Sequence, residues 1–141
     1  MIVVKSKFFP FKELIVLYTD SLEDINFVGY PFKGACFDNQ NMQKSLLCDN
    51  YFGYSSFIQT NLKGANFKNS CLIKCNFEGA DLTDVNFEGA NLKGVNFRGA
   101  KFSKTIFSSY HNMNLEGTIT TKDQELEEFI TRTNILKNIK L

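Results

Sequence analysis

The chain has 141 residues, of which 43% are hydrophobic and 22% charged, and this composition fits one folded domain rather than a disordered segment. Its 16 basic and 15 acidic residues nearly cancel, so the overall charge gives no reason to expect nucleic acid, an anionic membrane or an acidic substrate. No apolar run approaches the roughly 20 residues that a membrane-spanning helix requires.

Residues 1–21 are predicted to form an N-terminal cap. The segment from Ile2 to Val4 has the composition of a strand, and the apolar stretch that ends at Tyr18 is able to cover the first turn of a repeat structure. Because Lys12 and Glu13 interrupt the apolar stretch and no small-residue cleavage site follows, we expect no secretory signal. Four cysteines without such a signal indicate a cytoplasmic protein with reduced thiols.

From residue 22 to residue 107, a bulky apolar residue recurs at every fifth position. These eighteen central positions are all Leu, Phe or Met, and they include 11 of the 15 Phe residues. They are Leu22, Phe27, Phe32, Phe37, Met42, Leu47, Phe52, Phe57, Leu62, Phe67, Leu72, Phe77, Leu82, Phe87, Leu92, Phe97, Phe102 and Phe107. A period of five matches neither a helix nor a continuous strand, so the chain must form a short extended side, turn a corner and repeat.

The other positions of the repeat have their own preferences. Two residues before the central position, small residues such as Ala80 and Ala90 prevail in the second half and share the inward face. The residue between them is usually Asn or Asp, as at Asn66, and faces outward. Seven of the nine Gly residues follow a central position by two residues, where a tight corner is needed.

With these preferences the segment resembles the pentapeptide-repeat family, whose consensus is Ala, then Asp or Asn, then Leu or Phe, then two variable residues. Residues 65–69, 80–84 and 90–94 match this consensus almost verbatim. The resemblance implies an all-β fold, a right-handed parallel quadrilateral β-helix with four pentapeptides per coil. We therefore expect a β-helix over residues 22–120, in which residues twenty apart are stacked.

Stacking at twenty residues sorts the central positions into four interior columns, one of them entirely aromatic. The predicted core consists of Phe37, Phe57, Phe77 and Phe97 in that column, together with Phe27, Phe67, Phe87, Leu62, Leu82 and Leu92. In the first half, polar residues such as Gln40 and Asn50 occupy inward positions and need partners or water there. We expect the early coils to be distorted or wider than the later ones.

Residues 121–141 are predicted to form a C-terminal α-helix. Leu126, Phe129 and Ile130 lie on one face of this helix, and Ile135 and Ile139 on another. A cap over the last coil and a contact in a homodimer would use the same apolar residues, so both alternatives stand.

The residues with catalytic or metal-binding chemistry do not form a convincing site. The candidates are the carboxylates Glu78, Asp81, Asp84 and Glu88, the single histidine His111, and the cysteines Cys71 and Cys75. The carboxylates are expected on solvated outer surfaces that leave their pKa values unshifted. The two cysteines are expected on successive sides of the coil, Cys75 inward and Cys71 outward, without further metal ligands. We predict no enzyme, metal, cofactor or small-molecule substrate.

Two functions from different classes remain open. The first is a protein-interaction scaffold, and its best surface is a wall that collects Lys33, Lys74, Lys93, Tyr51 and Tyr54. The second is implied by the family resemblance, since some members resemble a DNA duplex, bind DNA gyrase and protect it from quinolones or toxins.

DNA mimicry requires a dense anionic surface. A duplex of about 22 Å, the expected length of residues 22–107, carries about 13 negative charges. Those residues contain eight acidic and nine basic side chains. The sequence therefore favours the scaffold, with a protein partner and with neither nucleic acid nor a membrane bound.

Overall fold

The computed structural model describes residues 1–6, 13–17 and 19–107, and most of them form a four-sided β-helix. Its strands are β1 (Ile2–Ser6), β2 (Glu13–Leu17), β3 (Ala35–Cys36), β4 (Asn86–Phe87) and β5 (Ile106–Phe107). The other sides of the coils meet through single parallel bridges between residues twenty apart, from Asn26 with Leu46 to Asp81 with Lys101. Four pentapeptides per coil are thus confirmed. The helix predicted for residues 121–141 lies outside the described residues.

Each amide of a regular repeat has a defined acceptor. In the repeat of residues 66–70, three amides donate to carbonyls of the neighbouring coils at 2.8 to 2.9 Å, and the amide of Ser70 closes the corner on the carbonyl of Phe67 at 3.1 Å. The fifth amide, that of Lys68, donates to Oδ1 of Asn66 at 2.9 Å. Since unpaired buried amides are costly, this complete pairing is what makes a five-residue period a stable backbone.

Asn or Asp is preferred before the central residue because its side chain pairs with the amide after the central residue, as Asn66 does with Lys68. In the described part, nine such side chains accept a hydrogen bond from the amide two residues further on, which is an Asx turn. They are Asn26, Asn41, Asn61, Asn66, Asn76, Asp81, Asn86, Asn91 and Asn96. Where Ser56 takes this position, Asp38 of the preceding coil accepts from its hydroxyl and from the amide of Ile58.

The corner residue, two after the central position, has a positive φ in every repeat from Asp24 to Lys104, between 53° and 78°. The residue before it does not, so each corner is a type II turn. Glycine fills seven corners, but Tyr54 and Lys74 also adopt this left-handed conformation, at φ 64° and 55°. A residue with a Cβ adopts it at a cost of about 1–2 kcal/mol.

The interior is filled by stacked side chains. All ten predicted core residues are buried, with at most 2% of their surface exposed, whereas Phe102 and Phe107 at the end are partly buried. In the aromatic column the ring centroids of Phe37 and Phe57 are 5.1 Å apart, those of Phe57 and Phe77 4.9 Å, and those of Phe77 and Phe97 5.6 Å. Rings of neighbouring columns meet edge to face, the favourable geometry for aromatic pairs.

The expectation of distorted early coils is confirmed only at one corner. The parallel bridges continue through the first coil (residues 22–41) and the second coil (residues 42–61). Among the described residues, however, the amide of Gly29 makes no coil-to-coil bond like those of Gly34 and Asn39, and Tyr30, at an inward position, is 50% exposed.

All four inward positions of the second coil are polar, and each side chain lies within hydrogen-bonding distance of the carbonyl of a central residue in the first coil. The donors are Ser45, Asn50, Ser55 and Thr60, at 3.1, 2.7, 2.6 and 2.8 Å. The single hydroxyl hydrogen of Ser45 is shared, since the carbonyl of Met42 in its own coil is nearer, at 2.6 Å. Gln40 is half-buried, and its Nε2 donates to the carbonyl of Asp38 at 3.4 Å.

The N-terminal strands protect one open edge of the first coil. Strand β1 pairs antiparallel with β2 and, through Lys5 and Ser6, with β3 on the coil. On the adjacent side of the coil, Pro31 has no amide to leave unpaired. The pairing of β1 with the coil and the proline both reduce the number of free backbone groups at this edge, which could otherwise pair with another chain. Among the described residues, no helix is long and apolar enough to cross a membrane.

Candidate functional site

One wall of the β-helix differs from the others in its charge. We call it the lysine wall: the outward residues around Phe32, Phe52, Leu72 and Leu92. It consists of Pro31, Lys33, Gly34, Tyr51, Gly53, Tyr54, Cys71, Ile73, Lys74, Asn91, Lys93 and Gly94. It contains three lysines and no carboxylate, whereas the opposite wall around Leu22, Met42, Leu62, Leu82 and Phe102 mixes four lysines with four carboxylates.

The structure brings together three of the five predicted wall residues. We call Lys33, Tyr54 and Lys74 the pile. The ammonium of Lys33 lies 5.8 Å from the centre of the Tyr54 ring, and the ammonium of Lys74 lies 5.6 Å from it. Lys33 belongs to the coil before Tyr54 and Lys74 to the coil after it, so the ring accepts a cation from each neighbouring coil. Cation–π attraction of about 0.5–1 kcal/mol at an exposed site holds each ammonium in place.

The other two predicted residues, Tyr51 and Lys93, lie on the same wall beside this pile. The backbones of Lys74 and Lys93 are adjacent, since the amide of Lys74 donates to the carbonyl of Lys93 at 2.8 Å. The Tyr51 ring lies over Gly53, where an added Cβ would be 3.0 Å from two ring atoms. Gly53 lacks the positive φ of the corner glycines. Contact with the Tyr51 ring is therefore what favours glycine there.

An apolar edge borders the lysine wall at its N-terminal end. We give this name to Val28, Leu46 and Tyr51, which are 43%, 42% and 41% exposed. Val28 and Leu46 lie on the neighbouring wall in the first and second coils. Val28 precedes the corner at Gly29 that leads to the lysine wall, whereas Leu46 starts its side at the other corner, five residues before Tyr51. Tyr30, which is 50% exposed, lies between Val28 and Pro31 at the same corner, whereas the exposed Met1 and Ile106 lie toward the ends of the described part.

The lysines of the pile are not neutralised within the described part of the chain. The ion pairs found there join the N-terminus to Asp20 and Lys68 to Glu88, at 3.0 and 3.2 Å. Neither pair involves Lys33 or Lys74. Within the described residues, the charges of Lys33 and Lys74 are therefore not offset by an ion pair.

The candidate catalytic and metal-binding residues are not gathered into a site. All four cysteines are free, with Cys75 buried and Cys71 half-buried, and residues 1–6, 13–17 and 19–107 contain no cluster able to hold a metal ion. The described carboxylates lie on outer walls or corners. His111 lies outside the described residues, as do the predicted dimer-contact residues, which are Leu126, Phe129, Ile130, Ile135 and Ile139.

The expectation that no carboxylate has a shifted pKa is wrong for Asp81. Partial burial alone would raise its pKa, but hydrogen bonds from the hydroxyl and amide of Thr83, with the charges of Lys101 and Lys63, outweigh burial and lower it. The hydrogen bond from the amide of Thr83 to Oδ1 of Asp81 is 3.1 Å long and closes an Asx turn. A carboxylate that is more acidic than usual is a poor general acid at neutral pH, so this shift reflects structure rather than catalysis.

The fold described above is that of a parallel β-helix built from five-residue repeats. The family model for pentapeptide repeats matches residues 41–79 and 70–108, with eight copies. The chain belongs to the pentapeptide-repeat family, and the family implies that the β-helix is right-handed. No curated protein matches the sequence.

Solved structures with the same architecture are distant in sequence. A pentapeptide repeat protein from the Arabidopsis thaliana thylakoid lumen is 17% identical, with a TM-score of 0.62 over 79% of this chain and 78% of that one. Rfr23 from the cyanobacterium Cyanothece 51142 is 26% identical, with a TM-score of 0.32 over 62% and 57% of the two chains. A trypsin-treated variant of QnrB1, a plasmid-mediated fluoroquinolone resistance protein, is 13% identical, with a TM-score of 0.47 over 81% and 83%.

Proposed function

We propose that this protein is a non-enzymatic scaffold that binds a protein partner through the lysine wall. The observation that carries the proposal is the pile of Lys33, Tyr54 and Lys74 on a wall without carboxylates. Stacked rings fill the interior, so the walls are the surfaces that remain for binding. A rigid wall loses little conformational entropy on binding, which favours affinity.

DNA mimicry is not supported by the distribution of charge. The carboxylates between residues 22 and 107 are spread over three walls and interspersed with lysines and Arg98. A DNA-like surface needs about one negative charge per 1.7 Å of its length. The four free cysteines fit the cytoplasmic location that we propose for the scaffold.

A pull-down with charge-reversed variants tests the proposed function. The wall variant carries Lys74→Glu and Lys93→Glu, and the control carries Lys44→Glu and Lys104→Glu on the opposite wall, at corners with φ 54° and 53°. A partner that the wild type and the control retain, and that the wall variant loses, supports binding through the lysine wall.

The two variants have the same change in net charge, so a general electrostatic effect changes both alike. Circular dichroism and thermal unfolding establish that both keep the fold. Equal retention of the partner by the wild type and both variants contradicts the proposal, and equal loss in both variants does so as well.

A further inference from the structure

The lysine wall and the apolar edge together define the chemistry of the partner. We propose that they bind an acidic, extended protein segment that carries one large apolar side chain. This inference rests on the proposed function and adds to it the kind of segment that is bound. Charge, the fixed positions of the cations and the exposed apolar side chains each contribute to it.

Two cations at fixed positions select carboxylates with a defined spacing. With the Lys33 and Lys74 ammonium groups at 5.8 and 5.6 Å from the Tyr54 ring centre, they are at most about 11 Å apart. Side chains on one face of an extended peptide recur every two residues, about 6.6–6.8 Å. Carboxylates at positions i and i+2 of an extended segment have a spacing within this limit, so we expect each of them to pair with one ammonium group.

The backbone at the pile is held in a costly conformation. Tyr54 and Lys74 occupy the same corner column as Gly34 and Gly94, yet they bear side chains at φ 64° and 55°. Glycine at these corners would avoid the strain of about 1–2 kcal/mol for each residue. Ten corners of the described part carry a side chain in this conformation, Lys44 and Lys104 among them, so the backbone does not single out the pile; its two cations and the ring between their coils do.

The apolar edge provides the second half of the recognition. Val28, Leu46 and Tyr51 are exposed by about two fifths each, and Tyr51 lies on the lysine wall itself, between the coils of Lys33 and Lys74. An exposed apolar group bordered by charges is typical of an interaction site. A bound Phe or Leu would cover these side chains, while the acidic residues that follow it along the segment extend toward the lysine pile.

The same features disfavour a single-stranded nucleic acid. Bases bind such proteins by stacking on exposed aromatic rings, with cations along the phosphates. The Tyr54 ring already has the ammonium groups of Lys33 and Lys74 over it, so a base would compete with both cations there. Tyr51 is 41% exposed, and a test with oligothymidylate decides whether a base stacks on it. Val28 and Leu46 offer no hydrogen-bond donor to a phosphate, and the wall contains no arginine.

Nuclear magnetic resonance of the full chain tests this inference with a defined probe, the acetylated peptide Phe-Ser-Glu-Ser-Glu. Its Phe and two Glu side chains share one face when it is extended. We expect saturable shifts of amide signals at residues 28, 46, 51–54 and 74. The double variant Lys33→Glu with Lys74→Glu should weaken binding at least tenfold. Absence of binding, shifts on another wall, or an unchanged affinity of this variant overturns the inference.

The variant Gly53→Ala tests the apolar half without changing a charge. Its Cβ would be 3.0 Å from the Tyr51 ring and so displaces it, and we expect a loss of about threefold in affinity. Gly64→Ala on the opposite wall controls for the added methyl group, since the nearest atom to its Cβ is Cγ of Lys44 at 3.6 Å. Its φ of 71° strains an alanine, so thermal unfolding must show that this variant is folded at the temperature of the titration. An affinity that Gly53→Ala does not change contradicts the apolar contact.

Two further ligands identify the class of partner. The peptide Phe-Ser-Lys-Ser-Lys should not bind, and oligothymidylate should bind at least tenfold more weakly than the acidic peptide. Tighter binding of either ligand overturns the assignment to an acidic segment. The pull-down reports on any protein partner, so a partner lost by the wall variant together with no binding of the acidic peptide leaves the proposed function intact and rejects this inference alone.

Discussion

The second coil (residues 42–61) and the fourth coil (residues 82–101) have the same backbone but opposite interiors. Ser45, Asn50, Ser55 and Thr60 make the second coil polar at its inward positions, whereas Val85, Ala90, Val95 and Ala100 make the fourth coil apolar there. All eight residues are buried, at 5% exposure or less. The five-residue backbone therefore accepts either chemistry, provided that each polar side chain reaches a carbonyl of the preceding coil.

The difference between the two coils has a structural explanation. The first coil has a further full coil on one side only, and the four polar side chains of the second coil add a hydrogen bond on each of its sides. Each such bond contributes about 0.5–1.5 kcal/mol. On its outside, the second coil carries the exposed Leu46 and Tyr51. The polar interior thus strengthens the part of the β-helix that bears the apolar edge.

The largest effect is expected from removing the ring that joins the second coil to its neighbours. Phe57 is fully buried between Phe37 and Phe77. Phe57→Ala should lower the free energy of unfolding by about 3–5 kcal/mol, because it removes a large side chain and leaves a cavity. Urea denaturation followed by circular dichroism measures this change.

The corresponding ring of the fourth coil provides the comparison for that variant. Phe97 stacks on Phe77 at 5.6 Å, but no further Phe continues its column in the described part of the chain. Phe97→Ala should therefore cost less than Phe57→Ala, near the lower end of the range for such truncations, about 3 kcal/mol. A greater loss from Phe97→Ala would show that the stacking does not determine the difference.

The polar interior itself is tested at Asn50. Its Nδ2 donates to the carbonyl of Phe27 at 2.7 Å, but its Oδ1 has no partner among the described residues. A buried acceptor without a partner costs about 1–3 kcal/mol. Asn50→Ser should keep a donor for this carbonyl and remove the unpaired oxygen, so we expect a gain in stability of about 1 kcal/mol after the small cavity is included.

Ser55→Ala is the control for Asn50→Ser, because it removes a donor whose oxygen is fully paired. Ser55 donates to the carbonyl of Phe32 and accepts from the amide of Ala35. We expect this variant to be destabilised by about 1 kcal/mol. If urea denaturation shows that both substitutions change stability in the same direction, the unpaired oxygen is not what limits the second coil.

The sequence alone was sufficient for the lattice but not for its side-chain bonds. A spacing of five residues predicted the buried central positions and the stacking at twenty, because both follow from one period. The bonds of the second coil join residues 23 apart, such as Ser45 and Leu22, so no local pattern revealed them. The Asx turns are local, and the recurrent Asn before the central residue was a signal for them.

The candidate site shows the same limit. The shared wall of Lys33 and Lys74 followed from the repeat, but the approach of both ammonium groups to the Tyr54 ring depends on the side-chain conformations. The role of Gly53 was hidden because it lies outside the corner register that explains the other repeat glycines. Its cause, the position of the Tyr51 ring, exists only in three dimensions.

The smallest effect is expected at Asp81, the last residue of the third coil (residues 62–81), whose ionisation makes the stability of the fold depend on pH. A lowered pKa means that the charged form stabilises the fold at pH values above the ordinary aspartate pKa of about 3.9. This stabilisation is lost as the pH falls through the pKa of the folded state. Asp81→Asn retains the Asx acceptor for Thr83 but has no charge to lose.

The wild type should therefore be slightly more stable than Asp81→Asn at pH 7, by up to about 1 kcal/mol for such exposed pairs, and the difference should vanish near pH 2. Urea midpoints measured from pH 7 to pH 2 determine it. Lys101→Gln should reduce the difference, since it removes one of the two cations that lower the pKa. A difference that grows as the pH falls would mean that protonated Asp81, rather than its charge, stabilises the junction between the third and fourth coils.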